Sequence, residues 1–196
     1  MEKPDVISSF KMKKLLGIVF LSFLFGGSAF GENKWEYLDL DRYVIAQIPG
    51  EVTHGDSFKF IYFRSINEHP PHLPCNAVIP SFTFYTFIKD KKIFDLENKK
   101  ILIKFNNIKP LVKVVSIEPF LLGHLVRFEM NINTFEKHFD YFKNIKKLNI
   151  ELIDFKRGLD EFENFVASDY FDVKNNNWNF KDIEKAMLEA RKICKK

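Results

Sequence analysis

The residues best able to do chemistry gather in one run, Glu68-His69-Pro70-Pro71-His72-Leu73-Pro74-Cys75, where two imidazoles and a thiol lie close together. A zinc ion takes four ligands of such types, and His69, His72 and Cys75 would supply three. The prolines oppose this. They favour polyproline II, in which three residues advance about 9 Å, so the two histidines share a face but stand far apart for one ion. A disulfide at Cys75 would also consume the thiolate. No metal and no cofactor are therefore expected, and His69 and His72 are the candidates for the opposite case.

Nucleophilic chemistry has less to work with. None of Ser57, Ser65, Ser81, Ser116 and Ser168 sits in a G-x-S-x-G elbow. His124, after Gly123, and His138 are isolated, and Asp160, Glu161 and Glu163 read as the solvent side of a short helix. No catalytic residue is assigned.

The two cysteines, Cys75 and Cys194, permit one intramolecular pairing, and an even count in an oxidising compartment reads as a disulfide. It closes more than half of the chain, for which loop entropy alone gives about 4 to 5 kcal/mol. Such a compartment is implied by Met12 to Gly31. Lys13 and Lys14 precede the apolar run Leu15 to Phe25, and small residues surround a cleavage point before Glu32. That run is about half of the roughly 20 residues a bilayer span needs, which favours a cleaved signal peptide (residues 1–31) over an anchor. The polar residues before Met12 lengthen the leader, so Met12 is the expected true start. No cysteine follows the apolar run to take a lipid anchor. The mature chain, 32–196, is expected as one domain in the periplasm of a Gram-negative bacterium or secreted, and not as an integral membrane protein.

Residues 1–31 hold four lysines against Glu2 and Asp5, so the formal net charge of +4 falls to about +2 in the mature part. A balance so near neutral argues against nucleic acid as a partner.

The elements that must position these residues are mostly strands. Trp35 to Leu40, Tyr43 to Ile48, Phe58 to Phe63, Phe82 to Ile88, Lys100 to Phe105, Leu111 to Ile117 and Leu125 to Ile132 have strand composition or alternation, and Asn149 to Phe155 has it more weakly. The four prolines of Asn67 to Pro80 predict a loop. Phe135, His138, Phe139 and Phe142 share one helical face behind a cap at Asn133 or Thr134, and Ile183, Met187, Ala190 and Cys194 share another behind Asn179. Gly158 to Ala167 reads as a short third helix. The expected fold is α+β, a single domain with a mainly antiparallel sheet of about six to eight strands covered by two amphipathic helices.

A count of 23 Phe allows an apolar ligand groove, although an AT-rich genome gives the same composition. The expected function is a non-enzymatic binding or envelope-accessory module whose partner is an envelope protein or an apolar small ligand. The rival is an exported hydrolase or metal-dependent enzyme using the His69 and His72 loop. The leader generates the first prediction: mass spectrometry of the exported form should find an N-terminus close to Glu32, whereas an intact chain in the membrane fraction would establish an anchor.

Overall fold

Aromatic and β-branched residues dominate the segments that pair. The computed structural model describes residues 34–53, 55–64, 74–155 and 165–196. The chain divides into two units, Met1–Glu32 and Asn33–Lys196, and all described elements belong to the second. The strands are β1 (Glu36–Asp39), β2 (Tyr43–Pro49), β3 (Ser57–Phe63), β4 (Ala77–Thr86), β5 (Lys100–Phe105), β6 (Leu111–Phe120), β7 (Gly123–Glu129), β8 (Asn133–Thr134), β9 (Lys147–Leu152) and β10 (Asn175–Asn179). They form one sheet in the order β1-β2-β3-β4-β7-β6-β5-β9-β10, with β8 beside β4. The helices are α1 (Phe135–Phe142) and α2 (Ile183–Cys194), with 3₁₀ turns at Lys91–Leu96 and Ala167–Asp169.

This corrects the expected fold class. Ten strands share one sheet, not six to eight, and the two short helices lie over only part of it. The sheet covers itself instead. Val44, Ala46 and Ile48 of β2, Phe58, Phe60 and Tyr62 of β3, Phe82 and Phe84 of β4, and Val126 and Phe128 of β7 are fully buried at alternate positions, which puts them on one inner face. β10 returns to that face, and its Trp178 ring stands 6.2 Å from Phe58 and 6.1 Å from Phe84. α1 adds Phe142, edge-on to Phe60 at 4.9 Å.

The returning strand closes against the end of β2, where the Glu51 N–H donates to the Asn177 carbonyl at 2.8 Å. A Cβ on Gly50 would stand 2.5 Å from Asn176 Nδ2, so the close approach requires glycine.

Helix α2 lies over β1 to β3 and is tied along its length. The Trp35 indole donates to the Lys181 carbonyl at 3.1 Å, and the Tyr62 hydroxyl donates to that of Met187 at 3.2 Å. At its C-terminus Cys194 is bonded to Cys75, with Cα atoms 5.7 Å apart. Arg64 donates to the Cys194 carbonyl at 3.3 Å and pairs with Asp39 at 2.5 Å. Arg191 reaches Asn76 Oδ1 at 2.9 Å and Glu136 at 2.8 Å, with its guanidinium 4.1 Å above the centre of the Phe135 ring.

Two local expectations need correction, the Asn67 to Pro80 loop and the Asn179 cap, and a third segment departs from what its composition predicts. Asn175-Asn176-Asn177 reads as a polar loop yet forms β10, because Asn176 is buried with hydrogen-bond partners and Trp178 is buried in the core. Pro80 lies inside the central strand β4. Its carbonyl accepts from Met130 at 3.0 Å, just past the end of β7, and β8 begins only at Asn133, so the missing N–H faces a gap in the ladder. The cap of α2 is Asp182, in the left-handed region, while Asn179 ends β10 and accepts from Lys181 at 3.0 Å. Most of the expected third helix lies outside the described residues. Among those described, no helix is long and apolar enough to cross a membrane.

Cutting the disulfide isolates its contribution. Cys194→Ser should lower stability in urea by about 2 to 4 kcal/mol. Ile183, Ala186, Met187 and Ala190 remain packed, so extra amide exchange should be confined to the turn from Arg191 onward. An unchanged urea midpoint would show that the bond does not hold the fold.

Candidate functional site

His69, His72, Ser65, Asp160, Glu161 and Glu163 lie outside the described residues. Cys75 is in the disulfide. Ser81 Oγ donates to the Phe128 carbonyl at 2.9 Å, and Ser57 Oγ shares a hydrogen bond with Thr83 at 3.1 Å. Neither is directed at a base. His138 is buried on α1, while His124 Nδ1 stands 3.3 Å from the Ile88 carbonyl under the edge of Phe94. The structure therefore does not bring the sequence-derived candidates that it describes into one cleft.

Two polar arrangements are built in. Asp56, in the β2–β3 loop, accepts from the Tyr85 N–H at 2.5 Å and from Asn176 Nδ2 at 2.6 Å, while Asn176 Oδ1 accepts from Val52 at 3.0 Å. One carboxylate thus joins the loop, β4 and β10. Burial pushes its pKa up to about 7, against the pull of those two donors. On the outer face, Glu36, Gln47, Lys59, Ser81, Glu129 and Lys113 stand opposite one another in successive strands. Burial and then Arg127 push the Lys59 amine down to about 8, with Glu118 opposing, and burial pushes Glu129 up against Arg127 and Lys113. Opposite charges alternate here in a balanced row. An open groove of about 860 Å³ beside the start of α2 is lysine-lined, but Lys143 pairs with Asp140 at 2.8 Å and Lys192 with Glu189 at 3.6 Å.

The feature that folding does not account for is apolar. β6 and β7 are joined by a two-residue turn, Leu121-Leu122, and both leucines are 70% exposed. Leu121 has φ +50°, with Leu122 not in the positive region, as in a type II′ turn whose first position belongs to glycine. Holding a leucine there costs about 1 to 2 kcal/mol. Gly123 follows where a Cβ would meet the Thr86 carbonyl oxygen at 2.0 Å, so β4 presses against the base of the turn.

Aromatic rings flank the tip on both faces of the sheet. On one, Tyr85 packs edge-on to Phe87 at 4.8 Å and to Phe120 at 5.9 Å. On the other, Phe94 meets His124 at 5.3 Å. Phe87 and Phe94 are 55% and 43% exposed. Val52, also exposed, lies in the loop where a Cβ on Gly55 would stand 3.1 Å from the Phe120 ring.

No family model, curated protein or solved structure matches this chain. The site is read from its own geometry. Sequence reasoning left Leu121 and Leu122 in the gap between two strands and put Phe87 inside one. The available signal was a pair of leucines where a short connection normally uses Gly, Asn or Asp.

The buried polar groups generate a pH prediction. An acid raised on folding favours the fold at low pH, so the Asp56 contribution is full below about pH 4 and is lost as pH rises through about 7. His138 is a base pushed down to about 4, chiefly by burial, so its contribution is full above 6.5 and is lost as pH falls toward 4. The two oppose each other across one window. Asp56→Asn should leave stability falling on acidification, and His138→Gln should leave it falling on alkalinisation. Urea midpoints followed from acid to neutral pH check both, and parallel profiles for the two variants would contradict the assignment.

Proposed function

We propose that this chain is an exported, non-enzymatic binding module of the cell envelope that docks through the apolar end of its sheet. The observation that carries this reading is the Leu121-Leu122 turn, in which two large apolar side chains are held in water on a backbone that glycine would suit better. Burying such a side chain is worth about 1.5 to 3 kcal/mol, a gain left unused in the isolated protein. A feature that costs stability and exposes apolar surface is the usual mark of a binding surface.

Export is supported by the leader-like Met12 to Gly31 and by the Cys75–Cys194 bond, which suits an oxidising compartment such as the periplasm. The inner face of the sheet is packed with its own aromatic rings, which leaves the hairpin end to meet a partner.

Leu121→Gly with Leu122→Ser tests this directly. Glycine relieves the turn, so thermal stability should be unchanged or raised by up to ~1 kcal/mol. Fractionation of producing cells should find the unaltered protein with the envelope and the variant released. A variant that stays with the envelope to the same extent would refute docking through this end.

A further inference from the structure

The occupant of the apolar end follows from its shape and residue types, and the inference rests on the docking reading above. We infer that the hairpin end inserts into a phospholipid surface. A partner packed on one face or one edge of the sheet would leave part of this end in water. Here apolar side chains stand on both faces and beyond the end: Phe87 on one side, Phe94 on the other, and Leu121 and Leu122 at the tip. A medium that surrounds the end from all sides satisfies all four together, and the apolar interior of a lipid leaflet is such a medium.

Composition points the same way. Energetically dominant positions of protein interfaces are enriched in Trp, Tyr and Arg, with Leu and Val under-represented. The exposed set here is Leu121, Leu122, Phe87 and Phe94. The backbone also suits insertion, because a polar group carried into hydrocarbon must already be paired. A two-residue turn is the shortest closure of a hairpin, and Phe120 opposite Gly123 continues the ladder to its base.

The charges lie where lipid headgroups would be. Between Phe87 and Phe94 the chain exposes Lys89, Lys91 and Lys92, with Asp90 among them, and Asp95 follows Phe94. Lys92 reaches Asp90 at 3.8 Å and lies 5.6 Å from the centre of the Tyr170 ring, while Asp172 accepts from the Phe87 N–H at 3.0 Å. The three lysines are matched by Asp90, Asp95 and Asp172, so the charge beside the tip is balanced and insertion is apolar.

The test uses the purified protein with phosphatidylcholine vesicles, with and without phosphatidylglycerol. The protein should sediment with both to a similar extent, because the charges beside the tip balance. Leu121→Gly with Leu122→Ser should weaken binding to both at least tenfold while melting at the same or higher temperature. In a separate Leu122→Trp variant, emission should shift to the blue on adding vesicles, because Trp35 and Trp178 are already buried and contribute an unchanged background. Absence of vesicle binding, with release of the tip variant from the envelope intact, would overturn the lipid inference and leave docking on a protein. Vesicle binding that the tip variant retains, or a Trp at position 122 whose emission does not move, would overturn insertion through this end.

Discussion

Contact among aromatic rings on the inner face of the sheet is what the rest of the structure depends on. Phe58 is the hub, with the rings of Phe60, Phe82, Phe142, Trp178 and Phe180 at centroid distances between 5.1 and 6.5 Å. Those partners come from β3, β4, α1, β10 and the turn before α2, so one side chain draws together five parts of the chain. Each such pair adds roughly 0.5 to 1.5 kcal/mol beyond its area burial. The many phenylalanines, which allowed a ligand groove when seen as sequence, here fill the space that such a groove would need.

A sheet drawn around an aromatic core must be fastened where its margins meet, and polar groups do this. Asp56 and Asn176 hold β10 to the β2–β3 loop, with Gly50 giving them room. The Cys75–Cys194 bond, Arg64 and Arg191 hold α2 to the strands beneath. Against this background the β6–β7 tip stands out, because two leucines are mostly exposed there and Leu121 holds a positive φ that suits glycine better.

Much of the sheet was legible. Phe58 to Phe63 and Leu111 to Ile117 declare themselves by composition and alternation, and the Phe135, His138, Phe142 stripe declares α1. What was not legible depended on distant partners. An asparagine run has poor strand propensity, and β10 forms because Asp56 satisfies Asn176 while Phe58 and Phe84 receive Trp178. Pro80 disqualifies a central strand unless the neighbouring ladder happens to break beside it. The hairpin tip was hidden for a related reason: exposure is a property of the folded chain, so Leu121-Leu122 stays an unassigned connection until both flanking strands are placed.

The central claim is that the inner face is a closed aromatic core and not a ligand pocket. Equilibrium urea unfolding of Phe58→Ala tests it most directly. A close-packed core predicts a single cooperative transition weakened by about 3 to 5 kcal/mol, because a cavity opens among rings that cannot collapse into it. A loss below about 1 kcal/mol would mean that Phe58 lines space already open to ligand or water, and would contradict the account.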